Sequence, residues 1–157
     1  MLLLDIPGGA GLQLAHLVLD YNGTLACDGQ LKPGVLAQLE RLAEQLNIYV
    51  ITADTHGSAQ QACDQAFIHL QVIAKQQQDQ QKQAFIEQLG ASHCIAVGNG
   101  INDGLMLKTA ALGVALIQEE GCATQTLLAS DLVFQQVTDL LDALLQPKRL
   151  IATLRNG

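Results

Sequence analysis

Three residues stand where reactive groups would sit at the ends of buried strands. Asp20 closes the apolar run Leu17-Val18-Leu19 and is followed by Asn22-Gly23-Thr24. Thr52 closes Tyr49-Val50-Ile51, and Asn99 follows Cys94-Ile95-Ala96-Val97 within Gly98-Asn99-Gly100-Ile101-Asn102-Asp103. A carboxylate held rigidly at a strand end can act as a nucleophile. Phosphoryl transfer through such a carboxylate also needs a divalent cation beside it to offset the phosphate charge. It needs a hydroxyl or amide for the phosphoryl oxygens and a fixed cation for the charge of the transition state. The chain offers side chains of each type in order, at successive strand ends.

The elements that must position these residues alternate regularly. A Pro/Gly-rich break over residues 7–11 separates two short apolar segments and predicts an N-terminal β-hairpin. Val35, Leu36, Leu39, Leu42, Ala43 and Leu46 recur at helical spacing, with Pro33 suited to a first turn. A strand is expected at 48–52, a helix at 58–67 and a weaker strand at 70–73. A glutamine-biased stretch over 76–83 then runs into an apolar helix closed by Gly90. Strands are expected again at 94–97, 112–116 and 131–134, with a helix between the last two and a helical tail over 138–145. Short connections between alternating strands and helices predict an α/β, three-layer sandwich around a parallel sheet. In such sheets ligands bind at the carboxyl ends of the strands. No linker or repeat interrupts the pattern, so a single domain over 1–157 is expected.

Composition narrows the function classes. A chain of 157 residues that is 49% hydrophobic can bury a core unaided. Its net charge of -7 and 3% aromatic content oppose nucleic-acid binding, which needs basic and stacking surfaces. Cys27, Cys63, Cys94 and Cys122 form no paired-cysteine motif and read as reduced thiols. The N-terminal apolar run is too short for a signal peptide, and no apolar stretch reaches membrane-spanning length. A cytoplasmic protein with no membrane partner is expected, and the apolar content is compatible with a homo-oligomer.

Taken together, the motifs resemble those of the haloacid dehalogenase superfamily. Asp20-Tyr21-Asn22-Gly23-Thr24 is similar to its first motif, Thr52 to its second, Lys82 to its third-motif lysine and residues 98–103 to its fourth. Thr52-Ala53-Asp54, the 98–103 segment followed by Leu105 and Leu107, and the run over 110–115 also resemble the phosphorylation domain of P-type ATPases. Without membrane helices the likeness is to the soluble P-type ATPase-like phosphatases. The resemblance implies a Rossmann-like, capless fold and a Mg2+-dependent hydrolase acting on a phosphorylated substrate, with ATP among the candidates. It implies that Asp20 becomes phosphorylated, that Thr52 holds a phosphoryl oxygen, and that Lys82 pairs with both. Asp20, Asn22 (through its carbonyl), Asn99 and Asp103 (directly or through water) would hold the metal. Tyr21, Gly23, Thr24, Ala53 and Asp54 would line the phosphate site, with Asn102 and Thr24 supporting the loop.

Two positions depart from the family pattern. Most phosphatases of the superfamily have an acid two residues after the nucleophile, where this chain has Asn22, a side chain incapable of acid-base work. Slow hydrolysis of the aspartyl phosphate is the expected consequence. His56 is a candidate substitute for that acid. Asn99 stands where a metal-binding aspartate is usual, which removes one unit of charge and predicts weaker metal affinity. Read singly, each residue has a plainer interpretation. Thr52 suits a strand end, Lys82 a solvated helix, Asp103 a helix start, and Asp54 and Asp28 caps or turns. Lys75 and Lys108 compete with Lys82 for the lysine role. A phosphate- and metal-binding regulatory module, or a phosphotransferase to an acceptor other than water, are the alternatives to a phosphatase.

Overall fold

The computed structural model describes residues 1–54 and 57–157. Its centre is a six-stranded parallel sheet of β3 (His16–Asp20), β6 (Asn47–Thr52), β7 (Ile68–Val72), β8 (Cys94–Gly98), β9 (Leu112–Leu116) and β10 (Leu132–Phe134). The strand order is β10-β9-β8-β3-β6-β7. The chain winds outward from β3 through β6 to β7, then returns to place β8 on the other side of β3. That reversal opens a crevice at the carboxyl ends of β3 and β8, the place where open α/β sheets bind ligands.

Alternation along each strand builds the two faces. Leu17 and Leu19 of β3, Ile48 and Val50 of β6, and Ile95 and Val97 of β8 belong to one core cluster. Val18, Ile51, Cys94 and Ala96 belong to the other. Side chains two residues apart share a face, so each buried strand feeds both layers. The first face is covered by α1 (Val35–Leu42), α6 (Val137–Leu145) and α7 (Lys148–Leu154), through Val35, Leu39, Leu140, Leu144 and Leu150. The second is covered by α3 (Gln78–Leu89) and α4 (Gly104–Thr109), through Ile86, Met106 and Leu107. Fully burying one such Leu or Ile side chain stabilises by roughly 1.5–3 kcal/mol. The antiparallel pair β1 (Leu2–Leu4) and β2 (Leu12–Leu14) forms the expected N-terminal hairpin and adds Leu2, Leu4 and Leu14 to the first core.

Several elements differ from the sequence pattern. The helix expected over 58–67 is only α2 (Ser58–Ala62), and β7 starts at Ile68 because it pairs with Ile48 at the head of β6. A small antiparallel pair, β4 (Ala26–Cys27) and β5 (Gln30–Leu31), follows the nucleophile loop. Two-residue strands carry no periodic signal, so this flap is invisible in the sequence. α5 (Thr124–Ala129) fills the expected place between β9 and β10. Among the described residues, no helix is long and apolar enough to cross a membrane.

Candidate active site

Asp20 is the last residue of β3, and its carboxylate faces a cleft of about 490 Å3 at the carboxyl edge of the sheet. Asn22, Thr52, Ala53, Asp54, Lys75, Gln78, Lys82, Asn99, Gly100, Asn102 and Glu120 complete its walls. The strand-end rule thus places Asp20, Thr52 and Asn99 around one cavity. Each comes from a different strand: β3, β6 and the loop after β8.

Lys82 organises the floor. Its ammonium donates to Asp20 Oδ1 at 3.0 Å and to Asp103 Oδ1 at 2.8 Å. The glutamine-rich surroundings predict a solvated lysine, yet Lys82 is only 1% exposed. Lys82 and Ile86 lie one helical turn apart on the face of α3 that packs on the sheet, while Gln76, Gln77 and Gln80 remain in solvent. Of its rivals, Lys75 lies on the cavity rim and Lys108 is exposed on α4.

The electrostatics follow from two carboxylates meeting one ammonium away from water. Burial, together with the neighbouring Asp103 carboxylate, pushes Asp20 up from 3.8 to about 7, against the pull of Lys82 and a hydrogen bond from the Tyr21 backbone. Burial alone would lower the Lys82 ammonium, but Asp20 and Asp103 reverse this and hold it above its ordinary value. With both carboxylates ionised, the group is one positive charge short of neutral.

Asp103 is fully buried behind the lysine and is not on the cavity wall. One carboxylate oxygen accepts from Lys82; the other accepts from the amides of Asn99 at 2.9 Å and Gly100 at 3.0 Å. Its position suits holding Lys82 and the Asn99 loop. Gly98 makes room for this: an added Cβ would lie 2.4 Å from Asp103 Cγ and Oδ2. Gly98→Ala should therefore swing Asp103 off Lys82 and destabilise the fold by about 1–3 kcal/mol. Chemical denaturation measures this directly, and an unchanged midpoint would mean that the loop absorbs the methyl group without moving the carboxylate.

The remaining expected residues divide into two groups. Thr52 is buried, and its Oγ1 accepts from the Asp54 amide at 3.1 Å, which leaves the hydroxyl proton free to donate into the cavity. Asp54 Oδ2 accepts from Ser58 Oγ at 2.7 Å and the Ala59 amide at 3.0 Å, so it also ties down the start of α2. Asn102 donates to Gln78 Oε1 at 2.8 Å across the cavity rim. Gly23 adopts φ +78°, and a Cβ there would lie 2.8 Å from the Asn99 amide atoms. The glycine lets the β3 and β8 loops meet. Tyr21 and Thr24, by contrast, are not on the cavity walls. The Tyr21 side chain, one residue on from Asp20, turns away from the cleft and donates its hydroxyl to the Gly29 carbonyl at 2.9 Å. Thr24 is buried, with no hydrogen-bond partner for Oγ1 among the described residues. His56 lies outside the described residues.

Gln78 and Glu120 line the cavity without any sequence motif to flag them. Gln78 caps the Lys75 carbonyl and holds Asn102. Glu120 comes from the turn after β9, a strand end that carries no recognisable pattern.

Comparisons with known proteins agree with this arrangement. A copper-transporting ATPase of Schizosaccharomyces pombe is 27% identical over 146 residues, which is 88% of this chain and 16% of the pump. An uncharacterized protein of Methanocaldococcus jannaschii is 50% identical over 62 residues, 40% of this chain and 67% of that protein. Two solved structures share the fold. One is the 3-deoxy-D-manno-octulosonate 8-phosphate phosphatase of Moraxella catarrhalis, in complex with magnesium, phosphate and KDO. It has a TM-score of 0.61 and 19% identity, over 90% of this chain and 94% of that one. The other is the cobalt-bound deoxy-D-mannose-octulosonate 8-phosphate phosphatase of Haemophilus influenzae. It has a TM-score of 0.68 and 15% identity, over 87% and 90% of the two chains. The family model of the haloacid dehalogenase-like hydrolases matches residues 5–111, from the N-terminal hairpin through the Asp20, Thr52, Lys82 and Asn99 stations. With that match over most of its length and those four stations around one cleft, this chain belongs to the haloacid dehalogenase-like hydrolases.

Proposed function

We propose that this chain is a metal-dependent phosphoryl-transfer hydrolase in which Asp20 attacks phosphorus and carries the phosphoryl group. The observation that carries the reading is the Lys82 bridge between Asp20 and Asp103 inside a cleft that Thr52 also lines. A carboxylate committed only to structure would have little reason to face a cavity with its charge half compensated. Asp20 would form the bond to phosphorus as the bond to the leaving oxygen breaks. The Thr52 hydroxyl would donate to a phosphoryl oxygen, and Lys82 would stabilise the charge of the transition state as a compact point cation. Asp103 would keep Lys82 aimed at the reacting atoms. We propose that these parts form one domain over 1–157.

The residues fit a magnesium ion. Asp20 supplies a carboxylate, Asn22 a backbone carbonyl, and Asn99 a carboxamide oxygen left free because its Nδ2 donates to the Gly121 carbonyl at 3.0 Å. Oxygen donors of this mixed kind suit a small hard cation, and the excess negative charge around Lys82 favours one. Bound there, it would neutralise charge on the phosphoryl oxygens. Among the described residues no three His, Cys, Asp or Glu side chains converge into a ready metal cluster, so affinity should be modest. The magnesium in the Moraxella catarrhalis phosphatase structure supports the choice of ion.

Asn22 lies exposed on the cavity wall where a carboxyl group would be needed to protonate the leaving oxygen and then to activate water. It supports slow release of phosphate, and equally a second reading in which the phosphoryl group passes to an acceptor other than water. The test is incubation with Mg2+ and γ-labelled ATP, or a labelled small phosphoester, followed by acid quench. Label on the wild-type protein that Asp20→Ala abolishes is the expected result. No covalent label and no phosphate release from any donor would favour a regulatory module that binds phosphate without transferring it.

A further inference from the structure

We infer that Glu120 is the second carboxylate of the metal site, supplying from the turn after β9 the negative charge that Asn99 lacks. The inference rests on the metal-dependent reading above and names a residue that none of the motifs contains.

Three carboxylates line the cleft: Asp20, Asp54 and Glu120. Asp54 is tied to Ser58 and Ala59 at the start of α2. Glu120 has no hydrogen bond or salt bridge among the described residues. It does have a defined neighbour: the Cβ that Gly23 lacks would stand 3.0 Å from Glu120 Oε2 and 2.8 Å from both Asn99 amide atoms. The Glu120 carboxylate and the Asn99 carboxamide therefore converge on one spot above the nucleophile loop, next to Asn22.

The turn that carries Glu120 is fastened on every side. Gln118 Nε2 donates to the Gly23 and Thr24 carbonyls, both at 3.0 Å, and Gln118 Oε1 accepts from the Val137 amide at 2.8 Å. Glu119 is paired with Lys32, just beyond the β4–β5 flap. The Gly121 carbonyl accepts from Asn99 Nδ2, and the Ala123 amide donates to the Asn99 carbonyl at 2.9 Å. Both chain neighbours of Glu120 are thus anchored, one of them to Asn99 itself. A turn built only for solvent would not need to be locked to the nucleophile loop and the β8 loop together.

Positions 99 and 120 are physically linked. An aspartate at 99 would set a carboxylate oxygen against the Gly121 carbonyl, where the amide now donates. The same contact that requires a neutral residue at 99 brings position 120 to the cavity. On this reading the β9 turn, not the β8 loop, supplies the second negative charge.

Manganese serves as the probe, with free Mn2+ followed by electron paramagnetic resonance on the full chain at neutral pH. Glu120→Gln is expected to weaken Mn2+ binding tenfold or more, the scale on which residues supporting a metal site act, and Asp20→Asn to weaken it at least as far. If Asp20→Asn loses the metal while Glu120→Gln stays within twofold of the wild type, Glu120 is a solvent-facing turn residue and the inference fails alone. If the wild type binds no Mn2+ at millimolar concentration, the metal-dependent reading falls and takes this inference with it. Circular dichroism of each variant separates loss of a ligand from loss of fold.

Discussion

Asn22→Asp is expected to hydrolyse its aspartyl phosphate roughly a hundred- to ten-thousand-fold faster than the wild type, the range that a positioned general acid-base contributes. The position is already right for the task. Residue 22 lies two beyond Asp20 on the cavity wall, and its side chain is exposed, so a carboxylate there would be ionised at neutral pH and able to take a proton from the attacking water. Because the side chain is exposed and makes no hydrogen bond among the described residues, the change should alter stability by no more than about 0.5 kcal/mol. Pulse-labelling the protein, chasing with unlabelled donor and timing the loss of acid-stable label isolates the dephosphorylation step. Equal decay in the two proteins would mean that another group already does the acid-base work, or that water is excluded from the phosphoenzyme.

Much of this site can be read from the amino-acid sequence. Asp20, Thr52 and Asn99 follow from one rule about strand ends, because buried apolar runs announce where strands stop. Lys82 is half legible. The glutamines around it indicate solvent, but its spacing to Ile86 and Leu89 marks the buried stripe of α3. Tyr21 shows a different limit. Adjacent residues on an extended segment point in opposite directions, so the residue after a cavity-facing aspartate turns inward, whatever the motif suggests. Glu120 lay beyond reach for a topological reason. Its loop meets Gly23 and Asn99 only because β9 pairs with β8 and β8 with β3, and the order of strands in a sheet is not written in the periodicity of any one of them. Asp103 was legible as a residue, but its place behind Lys82 depends on the absence of a side chain at Gly98, a contact between neighbouring turns.

Replacing Lys82 by methionine should be the most destabilising single change in the site. Removing one partner of a buried ion pair typically costs 3–5 kcal/mol, because the remaining charge is left without compensation. Here two carboxylates would be left, one of them wholly buried. For a chain of this length each kcal/mol corresponds to about 2–4 °C in Tm, so Lys82→Met should melt roughly 10 °C or more below the wild type. The loss should depend on pH with a definite sign. Asp20 already stands at about 7 in the fold against an ordinary 3.8, so its ionised form opposes folding above pH 7, and that cost is relieved as pH falls between the two values. Lys82 is what holds Asp20 down, so without it Asp20 rises further and the relief begins at higher pH. The gap between Lys82→Met and wild type should therefore be widest in alkaline buffer and should narrow on acidification. Adding Asp20→Asn to Lys82→Met removes one of the stranded charges and should restore part of the lost stability, although the double variant also loses the proposed nucleophile. Thermal melts of the single and double variants across pH measure all of this. A Lys82→Met melting within 2 °C of wild type at every pH would mean that water reaches the carboxylates, and that the lysine is held by the cavity rather than holding it together. A large, pH-dependent loss would instead show that the charge arrangement suited to phosphoryl transfer is also part of what keeps the β3, β8 and α3 ends assembled.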